Sequence, residues 1–222
     1  MANYKVKVLD VRPVTHNVHA FTIEKPEGFN YVPGQATDLS IVKENWENEK
    51  RPFTFTSLQE SDFLQFTIKS YPDRNGVTNQ LLYVEPGDYF EISDAWGAIE
   101  YQGEGVFLAG GAGITPFIAI FRDLYSRNKI GNNKLFFSNK TTADIILKEE
   151  FETMLGNNFH KIISAENVDG CYYGRINKGF LQENITDFTR HFYVCGPDPF
   201  IASILDALQE LGAHAETLVF EK

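Results

Sequence analysis

The sequence predicts two domains of different fold class: an antiparallel β-barrel of Greek-key type over residues 1–103 and an α/β domain with a parallel sheet over residues 104–222. Short alternating apolar runs separated by turn residues fill the first part, whereas apolar strands alternate with helical stretches in the second. The pattern changes at Gly103-Glu104-Gly105. A chain of 222 residues is long enough for two small domains that each bury a core.

The barrel prediction depends on the two-residue period of half-buried strands. In residues 64–69, apolar Leu, Phe and Ile alternate with Gln, Thr and Lys, so one face of the strand is apolar. Pro33-Gly34 and Pro86-Gly87 mark turns between such runs, and a short helix is predicted around Thr78–Tyr83. The predicted strands are Lys5–Val11, Ala20–Glu24, Thr37–Val42, Phe53–Ser57, Leu64–Lys69 and Tyr89–Ser93.

The second domain is predicted from strands that alternate with helices, a pattern typical of a parallel sheet covered on both faces. Ligands of such sheets bind outside the carboxyl ends of the strands. The predicted strands are Val106–Ala109, Leu135–Ser138, Lys161–Ser164 and Phe192–Cys195. The predicted helices are Pro116–Arg127, Leu147–Leu155, Lys178–Glu183 and Asp198–Leu211.

Composition and charge exclude several classes of function. Two cysteines, Cys171 and Cys195, are too few for a disulfide framework, an iron–sulfur cluster or a structural zinc site, and the histidines show no metal-ligand spacing, so no metal is expected. A net charge of −10 argues against nucleic acid and anionic membranes as partners. No secretory signal or apolar run of membrane-spanning length is visible, which favours the cytoplasm.

The most informative segment runs from Val106 to Pro116 and contains a glycine-dense turn between a strand and a helix. Thr115 is predicted as the N-cap and Pro116 as the first helical residue. Glycines leave the backbone open and the N–H groups of a new helix attract anions, so Gly110, Gly111 and Gly113 indicate a pyrophosphate site. No Gly-Lys-Ser/Thr follows, and Pro116 replaces the third glycine of the usual dinucleotide fingerprint.

Three further segments carry groups suited to a cofactor, although each has a simpler explanation. Arg51-Pro52-Phe53-Thr54 offers a phosphate ligand, a ring for stacking and a hydroxyl for a ring edge, or is a plain barrel strand. Gly76-Val77-Thr78 offers free N–H groups before a helix, or is an ordinary turn. Cys195-Gly196-Pro197 ends a strand beside the glycine turn, or holds a buried core thiol.

The glycine-dense turn and these three segments are spread over nearly the whole chain. Their order along it resembles that of the ferredoxin–NADP reductase superfamily of two-domain flavoproteins. Pro33-Gly34-Gln35 and Glu85-Pro86-Gly87-Asp88 add to the resemblance. The stretch from Ser138 to Leu147 is similar to the NADH-using cytochrome and nitrate reductase branch. The resemblance implies that the barrel binds FAD, with FMN less suited because it lacks a pyrophosphate, and that the second domain binds NADH or NADPH.

The resemblance also implies roles for individual residues. Thr54, beside the ring nitrogen that exchanges hydride, and Cys195, near the nicotinamide, are the expected catalytic residues. Relatives commonly have Tyr and Ser where Phe53 and Thr54 stand, so one hydrogen bond to the flavin is expected to be missing. The other implied FAD contacts are Arg51, Pro52, Phe53, Thr67, Ile68, Lys69, Gly76, Val77 and Thr78. The implied nicotinamide dinucleotide contacts are Gly110, Gly111, Gly113, Thr115, Pro116, Ser138, Lys140, Gly196 and Pro197.

Two positions leave alternatives open. Phe220 is the candidate for an aromatic that covers the flavin, but residues 217–220 also alternate like a strand. Ser138 and Lys140 could bind the 2′-phosphate of NADPH, but the segment lacks an arginine, which favours NADH.

The implied function is hydride transfer from NAD(P)H to FAD, followed by electron transfer to a carrier protein such as a ferredoxin, flavodoxin, cytochrome or oxygenase component. The alternatives are a free-flavin or quinone-type reductase and a flavin-binding regulatory subunit of low turnover. The acidic net charge disfavours an acidic carrier.

Overall fold

The structure, a computed structural model, describes residues 2–97 and 99–220. Its contacts divide the chain into two compact units, one formed by residues 1–97 and 115–123 and the other by residues 98–114 and 124–222. We call them the barrel unit and the sheet unit. The division is discontinuous in the chain, and the boundary predicted between residues 103 and 104 stays a prediction.

The barrel unit is built on six antiparallel strands, as the sequence predicts. They are β1 (Asn3–Thr15), β2 (Val18–Glu24), β3 (Ala36–Ile41), β4 (Arg51–Thr54), β5 (Phe63–Lys69) and β6 (Tyr89–Ser93). Their order in the sheet is β4-β3-β6-β1-β2-β5. A bridge between Phe55 and Phe66 joins the two end strands, so the barrel is nearly closed. The predicted helix is α1 (Val77–Gln80), which continues as a 3₁₀ turn, Leu81–Tyr83.

The barrel closes because the chain changes partner after Thr54. The predicted strand Phe53–Ser57 is therefore wrong in its limits, since β4 covers Arg51–Thr54. Beyond Thr54, the Thr56 N–H donates to the carbonyl of Gln65 on β5 at 2.7 Å. Alternate β5 residues, Leu64, Phe66 and Ile68, are buried in the barrel core, as their period predicts.

The sheet unit contains a parallel sheet of six strands. They are β7 (Gly105–Gly110), β8 (Lys134–Asn139), β9 (Phe159–Ile163), β10 (Tyr172–Tyr173), β11 (His191–Cys195) and β12 (Leu218–Phe220). The helices that follow α1 in the chain are α2 (Thr115–Ser126), α3 (Lys148–Leu155), α4 (Lys178–Asn184) and α5 (Asp198–Glu210). Residues 115–123 of α2 belong to the barrel unit. The two-residue strand β10 was not predicted.

The strand order β10-β9-β8-β7-β11-β12 reverses between β7 and β11. From β7 the chain adds β8 and β9 on one side, whereas β11 and β12 lie on the other. In open parallel sheets, ligands bind at the carboxyl ends of the strands next to such a reversal. This is the position that the predicted pyrophosphate turn requires.

Tyr193 anchors the amino-terminal end of this sheet. Its ring is fully buried and stacks on Phe107, with centroids 4.2 Å apart. Its hydroxyl accepts hydrogen bonds from the Gln102 and Gly103 N–H groups at 2.9 and 3.0 Å and donates to the Gly103 carbonyl at 2.8 Å. Burial raises the pKa of Tyr193, so the phenol stays neutral and keeps its proton for that bond.

Helices long and apolar enough to cross a bilayer are absent from residues 2–97 and 99–220.

Candidate cofactor-binding sites

Arg51 is an exposed cation at the start of β4. Its guanidinium donates to the Lys50 carbonyl at 2.7 Å and lies 3.1 Å from a Glu49 carboxylate oxygen. Both side chains of this ion pair are about half exposed, and pairs of this kind are weak. A phosphate can therefore compete with Glu49 for the guanidinium, as the predicted role of Arg51 requires.

The other β4 residues have the exposure that contacts with a flat ring need. Phe53 is half-buried, packs against the barrel core and leaves part of its ring accessible. Thr54 is half-buried and lies opposite Ala36 of β3, whereas Pro52 is exposed. The structure thus offers an aromatic surface and a hydroxyl at adjacent positions of one strand.

β5 presents an open edge where Thr67, Ile68 and Lys69 are predicted to make backbone contacts. These residues pair with β2 on one side, while the bridge on the other side is at Phe66. Thr67 and Ile68 are buried side chains, and the Thr67 hydroxyl is 3.2 Å from that of Thr56. A ligand at this edge would be bound through main-chain atoms, because the side chains are engaged in the barrel.

Gly76 is the N-cap of α1 and has an extended backbone with φ −136°. No side chain caps this helix end, and a Cβ added at Gly76 would meet nothing within 4 Å. Val77 is buried and Thr78 is half-buried at the first helical positions. The Asn79 and Gln80 N–H groups donate to the Gly76 carbonyl at 3.0 and 3.2 Å, and the open space beside Gly76 is where a phosphate is predicted to lie.

Together these features fit an FAD pyrophosphate and ring. The set combines a displaceable cation, a partly exposed aromatic ring, a free strand edge and an uncapped glycine turn. Ser70, directly after Lys69, adds a buried hydroxyl oxygen that has no hydrogen-bond partner among residues 2–97 and 99–220. When FAD is bound, it supplies the acceptor for hydride, and the chain supplies the binding contacts.

The glycines after β7 serve two different purposes. Gly111 has a left-handed backbone, φ +54°, and a Cβ there would meet nothing within 4 Å, so its surface is open to a ligand. A Cβ at Gly113 would lie 2.3 Å from the Cys195 carbonyl oxygen, and one at Gly110 would lie 3.1 Å from the ring of Phe200. Gly113 is therefore required by packing against the backbone, whereas Gly110 leaves room for the ring of Phe200.

The turn itself differs in one detail from the prediction. A 3₁₀ turn, Gly111–Ile114, precedes α2, which begins at Thr115. The prediction of Thr115 as N-cap and Pro116 as first helical residue is therefore wrong by one position. The reason is that the glycine segment already forms a 3₁₀ turn, so helical hydrogen bonding begins before Thr115 and continues into α2.

Cys195, Gly196 and Pro197 lie beside this turn, as predicted. Cys195 ends β11 opposite Ala109 of β7 and is 5% exposed. Pro197 is the N-cap of α5, and no side chain caps that helix end. A Cβ at Gly196 would lie 2.7 Å from the ring of Phe200. Phe200, which the sequence analysis missed, fills the space between the two turns. Its only sequence signal is an aromatic residue one turn into the helix after Cys-Gly-Pro.

Two carboxylates lie next to the predicted adenosine contacts: Asp144 in the segment after β8, and Glu166, which follows β9. Ser138 is half-buried in β8 and Lys140 is exposed directly after it. The Thr141 N–H and hydroxyl both donate to Asp144, at 3.0 and 2.7 Å. The Thr142 N–H and hydroxyl both donate to Glu166, at 2.6 and 2.8 Å. These two bonds lower the pKa of Glu166, so it is an anion at neutral pH.

Phe220 lies in β12, paired with Val194 of β11, and packs against the apolar cluster of the sheet unit. The strand alternative is therefore confirmed for residues 218–220, and a role of Phe220 in covering the flavin stays a prediction.

Apart from Phe220, the predicted FAD contacts lie in the barrel unit, and apart from Thr115 and Pro116 the predicted dinucleotide contacts lie in the sheet unit. Within residues 2–97 and 99–220, no cluster of three His, Cys, Asp or Glu side chains could hold a metal ion.

Comparison with known families gives two matches, which cover different parts of the chain. The model for an FAD-binding domain matches residues 3–92, and the model for an oxidoreductase NAD-binding domain matches residues 107–206. The chain belongs to the ferredoxin–NADP reductase superfamily. The predicted superfamily, its two-domain fold and its two cofactors, FAD and a nicotinamide dinucleotide, are confirmed. The individual site residues stay predictions.

Members of this superfamily are similar over most of the chain. NADH-cytochrome b5 reductase 2 of Mycosarcoma maydis is 27% identical over 93% of the chain and 65% of its own length. The reductase component of propane 2-monooxygenase from Mycolicibacterium smegmatis is 27% identical over 90% of the chain and 62% of its own length. The chain thus spans less than two thirds of these curated relatives.

A ferredoxin NADP+ reductase from Neisseria gonorrhoeae, solved with bound FAD and NADP, has the same fold. Its TM-score is 0.87, with 19% identity, over 100% of this chain and 98% of that one.

Proposed function

We propose that this protein takes hydride from NADH onto bound FAD and passes the electrons to a separate carrier protein. The observation that carries the proposal is that each unit pairs an open glycine with groups suited to its cofactor. Gly76 and Arg51 belong to the barrel unit, and Gly111 lies at the reversal of strand order in the sheet unit.

The chain's own contribution is positioning. Arg51 and the N–H groups after Gly76 bind the FAD pyrophosphate, and Phe53 supports the ring while the Thr54 hydroxyl meets its edge. Gly111 admits the pyrophosphate of the dinucleotide, and Cys195 borders its nicotinamide end. No general acid or base is needed, since hydride transfer between the two cofactors moves the electron pair directly.

NADH is preferred over NADPH because two carboxylates, Asp144 and Glu166, lie at the adenosine segment. Asp144 and Glu166 bind the two threonines after Lys140, so a 2′-phosphate there would approach two carboxylates and a single exposed lysine. A site for the 2′-phosphate normally uses arginine. A Lys140→Glu variant tests the remaining cation: its NADPH turnover falls if Lys140 binds the 2′-phosphate and is unchanged otherwise.

The carrier is proposed to be a protein with a basic or neutral docking face. The similar proteins include a cytochrome b5 reductase and a monooxygenase reductase component by name, and the net charge of this chain is −10. An acidic carrier would be repelled at low ionic strength.

The test is anaerobic addition of NADH or NADPH to the purified, FAD-loaded protein while the visible spectrum is recorded. The proposal expects the flavin bands to bleach within seconds, faster with NADH. A protein that binds no added FAD, or whose FAD is not reduced by either nucleotide, contradicts it. Turnover with a basic carrier protein such as cytochrome c, compared with free riboflavin, then separates a carrier reductase from a flavin reductase.

A further inference from the structure

Trp96 follows β6 and pairs with the start of β3. The Ala36 N–H donates to the Trp96 carbonyl at 2.7 Å, and the Trp96 N–H donates to the Ala36 carbonyl at 2.8 Å. The two residues therefore form a hydrogen-bonded antiparallel pair. Residues directly opposite each other in such a pair place their side chains on the same face of the sheet.

Ala36 is also opposite Thr54, on the other side of β3. Because both backbone groups of Ala36 bond to Trp96, the pair with Thr54 is of the closer, non-hydrogen-bonded kind. Trp96, Ala36 and Thr54 thus form one row on one face, with Trp96 and Thr54 about 10 Å apart between Cα atoms by the usual strand spacings. Only the methyl group of Ala36 lies between them in that row.

The indole of Trp96 has an unmet hydrogen-bonding requirement. Its Nε1 atom is buried and has no hydrogen-bond partner among the described residues, 2–97 and 99–220. Buried tryptophan N–H groups usually find an acceptor, and one left without it loses free energy relative to water. Trp96 is therefore a donor for which the described part of the chain provides no acceptor.

We propose that the Trp96 indole N–H donates a hydrogen bond to an acceptor atom on the ring of the bound flavin. This inference rests on the proposed function, in which the Thr54 hydroxyl meets the same ring. A flavin ring carries carbonyl oxygens and unprotonated nitrogens along its polar edge, and these accept hydrogen bonds. A ring that meets the Thr54 hydroxyl and lies along this row would bring its polar edge to Trp96.

The second tryptophan of the chain, Trp46, is a matched control. It packs against the barrel core, and its Nε1 is not among the buried atoms without a partner. Replacing either residue by Phe removes an indole N–H and retains an aromatic ring. Only the change at Trp96 is expected to affect the flavin.

The experiment measures the dissociation constants of FAD, riboflavin and ADP for the apoprotein and for Trp96→Phe, Trp46→Phe and Arg51→Gln. Trp96→Phe is expected to raise the dissociation constants of FAD and riboflavin by the same factor, about fivefold to tenfold for one lost hydrogen bond. The dissociation constant of ADP should not change. Arg51→Gln is expected to weaken FAD and not riboflavin, which lacks phosphate. At saturating FAD, the visible flavin band of Trp96→Phe shifts relative to wild type, a readout independent of affinity.

The outcomes separate the two proposals. If wild type fails to bind FAD, the proposed function fails. If wild type binds FAD and Trp96→Phe binds FAD and riboflavin equally well with an unshifted band, the inference about Trp96 is overturned. An equal loss of ADP affinity in Trp96→Phe, or the same loss of FAD affinity in Trp46→Phe, also overturns it, because the effect would then not arise from a contact of Trp96 with the flavin ring.

Discussion

The glycine turns of the two units differ in how the protein uses them. At Gly76 in the barrel unit the backbone is extended and an added Cβ would meet nothing, so nothing within the described chain requires a glycine there. At Gly113 in the sheet unit an added Cβ would collide with the backbone of Cys195 and Gly196, at 2.3 to 2.5 Å. The same residue type is thus free of packing constraints in one unit and confined by them in the other.

Glycine is thus found in these turns for two separate reasons: to leave space for a ligand, or to let parts of the protein pack closely. Gly76 and Gly111 leave space that a ligand can fill, whereas Gly110, Gly113 and Gly196 let two strand ends and the ring of Phe200 approach one another. Substitutions that add one methyl group therefore distinguish ligand-binding glycines from structural ones.

The largest effect is expected for Gly113→Ala. The new methyl group overlaps backbone atoms that cannot move without separating β7 from β11, so the free energy of unfolding of the sheet unit should fall by about 3 kcal/mol. Chemical denaturation followed by circular dichroism measures this. Gly179→Ala in α4 is the control, since its Cβ would meet only Asn177 Oδ1 at 3.5 Å and should be neutral or stabilising. Equal stability of Gly113→Ala and wild type would show that the turn can move to accept the methyl group. Gly113 would then not differ from Gly76 in its packing constraint.

A smaller and different effect is expected for Gly76→Ala. Its φ of −136° suits any residue, so the free energy of unfolding should stay within about 0.5 kcal/mol of wild type. The methyl group enters the space assigned to the pyrophosphate, and FAD affinity should fall about tenfold, or about 1.4 kcal/mol. Riboflavin affinity should not change. Titration of the apoprotein with both flavins checks this, and an unchanged affinity for FAD would remove Gly76 from the site.

The smallest effect concerns Glu166, which holds the loop after β8 by hydrogen bonds rather than by packing. Its pKa is lowered from the ordinary 4.5 by the N–H and hydroxyl of Thr142. A lowered pKa in the folded state means that the stabilisation is present above pH 4.5 and is lost as the pH falls through the folded pKa. The Tm of Glu166→Gln should therefore lie slightly below that of wild type at pH 7, and the difference should shrink at pH 3. Glu183→Gln, at an exposed position of α4, is the control; a difference that is constant with pH would contradict the assignment.

Strong local periodicity predicted most elements correctly. The strand Tyr89–Ser93 has the predicted limits, and β5, α3, α4 and α5 differ from prediction by one residue at one end. The larger errors fall where long-range pairing decides: β1, predicted over Lys5–Val11, spans Asn3–Thr15 because it pairs with β6 and then with β2. Residues 55–57 leave β3 because β5 is there to close the barrel, and no local pattern signals that exchange.

The candidate site divides in the same way. The residue types of Arg51, Phe53, Gly76 and Gly111 indicated phosphate and ring contacts, because their chemistry is visible in the sequence. Phe200, Glu166 and Trp96 were missed because their relevance depends on neighbours distant in the chain: Gly110, Thr142 and Ala36.

By itself the sequence determined the two fold classes, the order of the elements and the chemistry of the cofactor contacts, since these follow from apolar period, turn residues and side-chain type. Only the tertiary structure decided which glycines are open and which are packed, that the strand order reverses between β7 and β11, and that the Trp96 indole has no acceptor within residues 2–97 and 99–220. Those properties depend on distances between residues far apart in the chain, which local patterns do not encode.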